Sequence, residues 1–168
     1  MPTQITLQVP FELGMGNGTA PFTVMVNGPA AKGTRAGSPV NGTFSNTVLA
    51  PVGQTSPGIY YVSRADGGAG PVSSGDLLVV LANGLGRVEG GGWTGARAPV
   101  TSTVNTLEKP VVTIGGLDAE VLFAGLAPGM VGVYQLNVRV PFGVQSGMVS
   151  LVIGAGGAVS QGFGVAMQ

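Results

Sequence analysis

The sequence predicts an all-β chain built of sandwich units, and three observations carry that prediction. Thirty-one glycines and twelve prolines in 168 residues rule out long helices, because these are the two weakest helix formers. Aliphatic residues recur at every second position in many short runs, the spacing that puts them on one face of a strand. Turn dipeptides such as Asn27-Gly28, Gly115-Gly116 and Pro128-Gly129 separate those runs, as expected of short strands joined by tight connections.

Taken in order, Ile5, Leu7 and Val9 alternate with Thr6 and Gln8 in a first strand that ends at Pro10-Phe11. Phe22, Val24 and Val26 alternate in a second, closed by Asn27-Gly28, a strong hairpin signal. Residues 29–43 read as a long loop, residues 44–52 as a strand, and Ser56-Pro57-Gly58 turns the chain into the apolar run 59–62. The stretch RADGGAGPVSS then has little to bury, so residues 63–74 are expected to be a glycine-rich linker. Beyond it, Leu77 to Leu81 is a continuous apolar run, which fits a strand covered on both faces. Residues 90–106 form a second polar loop carrying Trp93, the sole tryptophan. Val112 and Ile114 point inward, and after Gly115-Gly116 so do Ala119, Val121 and Phe123. Tyr134, Leu136, Val138 and Val140 alternate up to Pro141-Phe142. Val149, Leu151 and Ile153 make the next strand, and Phe163, Val165 and Met167 the last.

A shift of 131 residues carries Gln4-Ile5-Thr6-Leu7-Gln8-Val9-Pro10-Phe11 onto Gln135-Leu136-Asn137-Val138-Arg139-Val140-Pro141-Phe142. Inward positions fall on inward positions, and a glycine turn and a further strand follow each copy. The chain therefore reads as two copies of one sandwich unit. They are unequal: residues 1–62 hold a partial N-terminal unit without its first strands, and residues 75–168 a complete one. Ile5, Leu7, Val9, Phe22, Val24 and Val26 thus form a face in need of cover. Leaving six such side chains exposed forgoes about 10 kcal/mol, comparable to the whole stability of a domain. The cover is expected from the loop of residues 29–52, the C-terminal unit, a parent segment, or a strand of another molecule.

The stretch IGGLDAEVLFAGLAPGMVGVYQLNVRVPFGVQSG, with GDLLVVLANGLG upstream, resembles a family of uncharacterised C-terminal regions on large secreted proteins of soil bacteria. These have an immunoglobulin-like, IPT/TIG-type character. Gly75, Asp76, Gly84, Leu85, Gly86, Gly115, Gly116, Phe123, Ala124, Gly125, Pro128, Gly129, Tyr134, Gln135, Asn137 and Pro141 sit at the family's pattern positions. QITLQVPFEL is similar to its Q-I-N-x-Q-V-P-W-E-L segment, with Phe11 in place of tryptophan. The resemblance covers nearly the whole chain and implies two immunoglobulin-like units and an extracellular or cell-surface setting in bacteria. It implies no enzymatic activity. Family members carry an earlier half-sandwich before the Q-I-N strand, and this sequence begins just after the place where it would stand; a signal segment is expected to have been removed or to lie in a longer parent chain.

With no histidine and no cysteine, neither a Ser-His-Asp nor a Cys-His arrangement exists, nor the usual zinc or copper ligands. No catalytic residue, cofactor or metal is expected. Asp118 and Glu120 share a strand face that alternates with the core and should be solvated. Asp66 and Asp76 flank the linker, where turn and cap roles compete with a calcium site between units. The glycine clusters lack the spacing of a phosphate loop. Seven basic and seven acidic residues cancel, giving no footprint for nucleic acid, and no apolar run reaches membrane-helix length. Trp93, Tyr60 and Tyr61 are candidate ligand contacts that suit stacking on sugars; packing is the competing role. Low charge favours self-association. The sequence therefore points to a non-enzymatic structural protein, a homo-oligomer or fibre that completes its N-terminal sandwich with a neighbour's strand. The competing reading is a carbohydrate- or cell-wall-binding module of a larger secreted protein.

Overall fold

The computed structural model of the chain describes residues 18–23, 25–27, 42–44, 46–91 and 93–168. Among them the protein is all-β, with no helix. Twelve strands follow in order: β1 (Gly18–Phe22), β2 (Met25–Asn27), β3 (Gly42–Phe44), β4 (Val48–Val52), β5 (Gly58–Arg64), β6 (Leu77–Asn83), β7 (Val111–Ile114), β8 (Leu117–Leu126), β9 (Tyr134–Arg139), β10 (Gly147–Ala155), β11 (Ala158–Val159) and β12 (Phe163–Met167).

The strands from β5 onward make one sandwich. Its order is β11-β10-β7-β8-β9-β6-β5, with β12 beside β11 on the same side of β10, and every pairing is antiparallel. The long strand β8 serves both layers. Residues 117–119 pair with β7 and residues 120–126 with β9, and the register shifts between Val121 and Phe123 within the β9 pairing. A bulge there adds a local bend and twist to the strand just past the point where it changes partners. Gly115 and Gly116, with φ of 60° and 82°, make the two-residue hairpin between β7 and β8, since that turn needs positive φ at both positions.

The core comes from the alternate residues that the sequence marks as inward. Leu78, Val80, Val112, Ile114, Leu136, Val138, Val140, Leu151 and Ile153 are all fully buried, each worth roughly 1.5–3 kcal/mol. Tyr134 is buried too, and its hydroxyl donates to the Gly86 carbonyl. Burial pushes that phenol well above its ordinary range. Gly84 closes the far end of β6 with φ of 68°, and a Cβ there would overlap the Ser56 carbonyl oxygen.

Three expectations need correction. β5 pairs with β6 along its length, so it belongs to the C-terminal sandwich, and the boundary between units falls before Gly58 rather than after residue 62. The stretch expected as a linker is instead an internal turn of that sandwich: Val72 is buried, gives its N–H to Ala166 and accepts from Gln168. β6 is covered fully on one face only, because Leu78, Val80 and Ala82 are buried while Leu77, Val79 and Leu81 are not. The loop of residues 90–106 is pinned to the sheet by Val104, whose carbonyl accepts from Leu126, and by paired bonds between Ala98 and the Gly129–Met130 turn.

The N-terminal strands form two small sheets, β1 with β4 and β2 with β3. They repeat the far side of the C-terminal unit. A shift of 129 carries Gly18–Phe22 onto Gly147–Leu151 and Met25 onto Gly154, while a shift of 115 carries Val48–Val52 onto Phe163–Met167 and Phe44 onto Val159. The registers then coincide: Gly18 faces Val52 as Gly147 faces Met167, and Met25 faces Phe44 as Gly154 faces Val159. Thus β1 and β2 correspond to β10, β3 to β11 and β4 to β12. The two shifts differ by 14, the length of the segment from residue 28 to 41.

Candidate functional site

Of the six residues expected to form an uncovered face, Ile5, Leu7, Val9 and Val24 lie outside the described residues. Val26 is placed in β2 by its backbone. Phe22 ends β1 and is half-buried. The repeat shows which neighbours share its face. Phe22, Ala50 and Val52 occupy the positions of Leu151, Val165 and Met167, which are 0%, 7% and 5% exposed in the C-terminal unit. All three N-terminal counterparts are only half-buried. The alternation that aims them inward is therefore kept, but the second layer that seals their counterparts is not present among the described residues. On the other face of β4, Leu49 is 67% exposed.

Main-chain geometry at this sheet follows from two prolines. Thr19 faces Pro51 and Pro21 faces Leu49. A pair containing proline cannot exchange both hydrogen bonds, so the bonded pairs are Gly18–Val52, Ala20–Ala50 and Phe22–Val48. The prolines sit where their missing N–H costs the ladder nothing.

The aromatic candidates do not gather into one platform. Trp93 is half-buried against the core and its Nε1–H donates to the Glu89 carbonyl at 2.8 Å, a packed and tethered indole. Tyr60 and Tyr61 lie on β5, 49% and 50% exposed. Partial burial raises the Tyr60 phenol. Tyr61 lines a crevice of about 330 Å³ between β5 and β12, together with Arg64, Val72, Leu78 and Phe163.

Beside that crevice, Arg64 grips Asp66 through two bonds, at 3.1 Å from Nε and 2.9 Å from NH2, and reaches Asp76 at 3.3 Å. Asp66 also accepts from the Gly68 N–H and Asp76 from the Ser73 N–H. The Arg64 bond, helped by Gly68, holds the Asp66 carboxyl at about 2. These two carboxylates thus serve turns and a guanidinium. Asp118 is exposed, and Glu120, likewise exposed, pairs with Arg139 at 3.1 Å. Among the described residues no group of three or more acidic side chains is placed to hold a metal ion, and no helix is long and apolar enough to cross a membrane. Comparison with known proteins finds no matching family model, no matching curated protein and no matching solved structure.

Proposed function

We propose that this chain is a non-enzymatic, extracellular structural protein of the immunoglobulin-like type, which self-associates by completing its N-terminal sandwich with a strand from a neighbouring molecule. One observation carries the reading. Phe22, Ala50 and Val52 stand half-open at positions that are sealed in the C-terminal copy, and in the sequence Val24 and Val26 continue the parity of Phe22. A face of this kind is satisfied by an added strand, with main-chain bonds supplying affinity and alternate side chains supplying register. Where the donated strand and the receiving face are different surfaces, the contact does not close on itself and a fibre results. The test is the mass of the purified chain by light scattering, with negative-stain microscopy of the same sample. Assemblies that Leu7→Asp disperses support the reading, and a monomer at every concentration refutes it.

A second reading rests on the crevice between β5 and β12. Tyr61 offers a stacking face beside the polar Arg64–Asp66 pair, the pairing of groups that suits a carbohydrate. Titration with cell-wall glycan fragments, following tyrosine fluorescence and comparing Tyr61→Ala, distinguishes it. Binding by a monomer that the variant abolishes favours this module over the assembly.

A further inference from the structure

The crevice of about 330 Å³ in the C-terminal sandwich runs between two strand edges, and all the residues that line it lie among those described. On β5 the direction of the main chain follows from one bond. The Ala65 N–H donates to the Leu77 carbonyl, so Ala65 and Leu77 are a bonded pair of the antiparallel ladder. Bonded pairs recur at every second residue, which gives Ser63 and Tyr61 to β6 and turns the N–H and carbonyl of Val62, and the N–H of Arg64, toward the crevice. On β12 the Ala166 carbonyl accepts from the Val72 N–H, and the Gln168 N–H donates to the Val72 carbonyl. The same alternation aims the N–H and carbonyl of Gly164, and the N–H of Ala166, into the crevice. No described residue bonds to them there.

Val72 shows how this edge takes a strand. It makes a one-residue parallel bridge with Met167 and buries its side chain, so the residue that bonds to β12 is also the one that points inward. Gly70, with φ of 112°, turns the chain aside just before it. The protein's own backbone thus fills the edge at one position and leaves it open beside Gly164.

What the crevice leaves unpaired is main chain rather than side chain. Asp66, Asp76 and the Pro71 carbonyl engage the Arg64 guanidinium, and among the described residues no buried side-chain polar atom lacks a partner. Free N–H and carbonyl groups along a strand edge are matched by the backbone of an extended peptide. Tyr61, Leu78, Phe163 and Val165 give an apolar wall for the side chain that alternates inward. Arg64 faces two carboxylates, and the net negative charge at that end disfavours an acidic guest.

We infer that this crevice is a docking slot for an extended, non-acidic peptide segment of a partner protein, which adds to the edge of β12 at Gly164 and sets an aliphatic side chain against Tyr61 and Phe163. The slot lies wholly within the C-terminal sandwich, so it stands apart from completion of the N-terminal one. It competes with the carbohydrate reading for the same crevice.

The probes are capped heptapeptides, Thr-X-Thr-X-Thr-X-Thr with X as valine, leucine, lysine or glutamate, titrated into the isotope-labelled chain and followed by its amide resonances. The valine and leucine peptides are expected to shift the amides of Val62, Gly164 and Ala166 saturably, and the glutamate peptide to bind at least tenfold more weakly. N-methylation of the valines removes the donors that meet β12 while leaving the protein untouched, and should weaken binding at least tenfold. Gly164→Pro takes the N–H out of the slot and spares the pairs that Phe163 and Val165 make with β10; it should cost as much. Equal binding of the N-methylated peptide would reduce recognition to side chains and overturn strand addition. Shifts with no peptide, or shifts confined to other strands, also overturn it. Glycan fragments that bind at Tyr61 where no peptide does overturn it in favour of the carbohydrate module.

Discussion

The strands β10–β12 and the strands β1–β4 share registers and the parity of their inward residues, yet one set is the heart of a core and the other is half-open. Leu151 is fully buried and Phe22, at the same place in the repeat, is not. The difference lies outside the strands. Opposite β10 stand β9 and β6, whose Leu136, Val138, Leu78 and Val80 are fully buried, and alongside it stands β7. A hairpin thus encodes its own pairing and which side faces in, but burial, and with it most of the stability, comes from the second layer.

The sharpest way to break this comparison is at the C-terminal unit's own closure. Gly84→Ala forces a side chain into positive φ and against the Ser56 carbonyl. Strain and overpacking together should cost about 3 kcal/mol or more, read as a lower midpoint in urea. Next comes the matched pair of truncations. Leu151→Ala should cost about 3–4 kcal/mol, the usual loss for a buried leucine. Phe22→Ala should cost less than about 1 kcal/mol in dilute solution, because little is packed on it. Equal losses at the two sites would show the N-terminal face to be sealed. Tyr134→Phe removes the buried hydroxyl bond to Gly86 and leaves that carbonyl without its partner, at about 1–2 kcal/mol.

The smallest effect is electrostatic. The Asp66 carboxyl is held at about 2 by Arg64, below the ordinary aspartate value near 4. Its contribution is present above pH 4 and is lost as pH falls toward 2, because the unfolded chain takes up the proton first. Asp66→Asn should flatten that acid limb of the melting temperature, and only slightly, since the pair is exposed and screened.

Much of this fold was legible in the sequence because a period of two and glycine-rich turns are local signals. Val112, Ile114, Leu136, Val138, Leu151 and Ile153 are buried as their alternation demands. The sheet to which a run belongs is not a local property, and Gly58–Arg64 shows it: an aliphatic run after a turn says strand, but its pairing with β6 depends on contacts across the fold. Strand β11 is two residues long and gives no period to read. Its place in the fold is marked instead by a second stretch of the repeat. Gly42-Thr43-Phe44-Ser45-Asn46 parallels Gly157-Ala158-Val159-Ser160-Gln161, and this match relates β3 and β4 to β11 and β12 by residue order alone. For the candidate site, the inward parity of Phe22 could be read from its neighbours. The tether from the Trp93 indole to Glu89 could not, because it depends on a loop's path.

The central proposal, that the N-terminal hairpins gain from another molecule the cover not found among the described residues, is tested most directly by amide hydrogen exchange over a range of protein concentrations. The account predicts rapid exchange in β1 and β4 at high dilution, protection that rises with concentration, and slow exchange at every concentration for the equivalent amides of β10 and β12. Strong protection of β1 and β4 that does not change on dilution would contradict it, because the cover would then lie within the single chain.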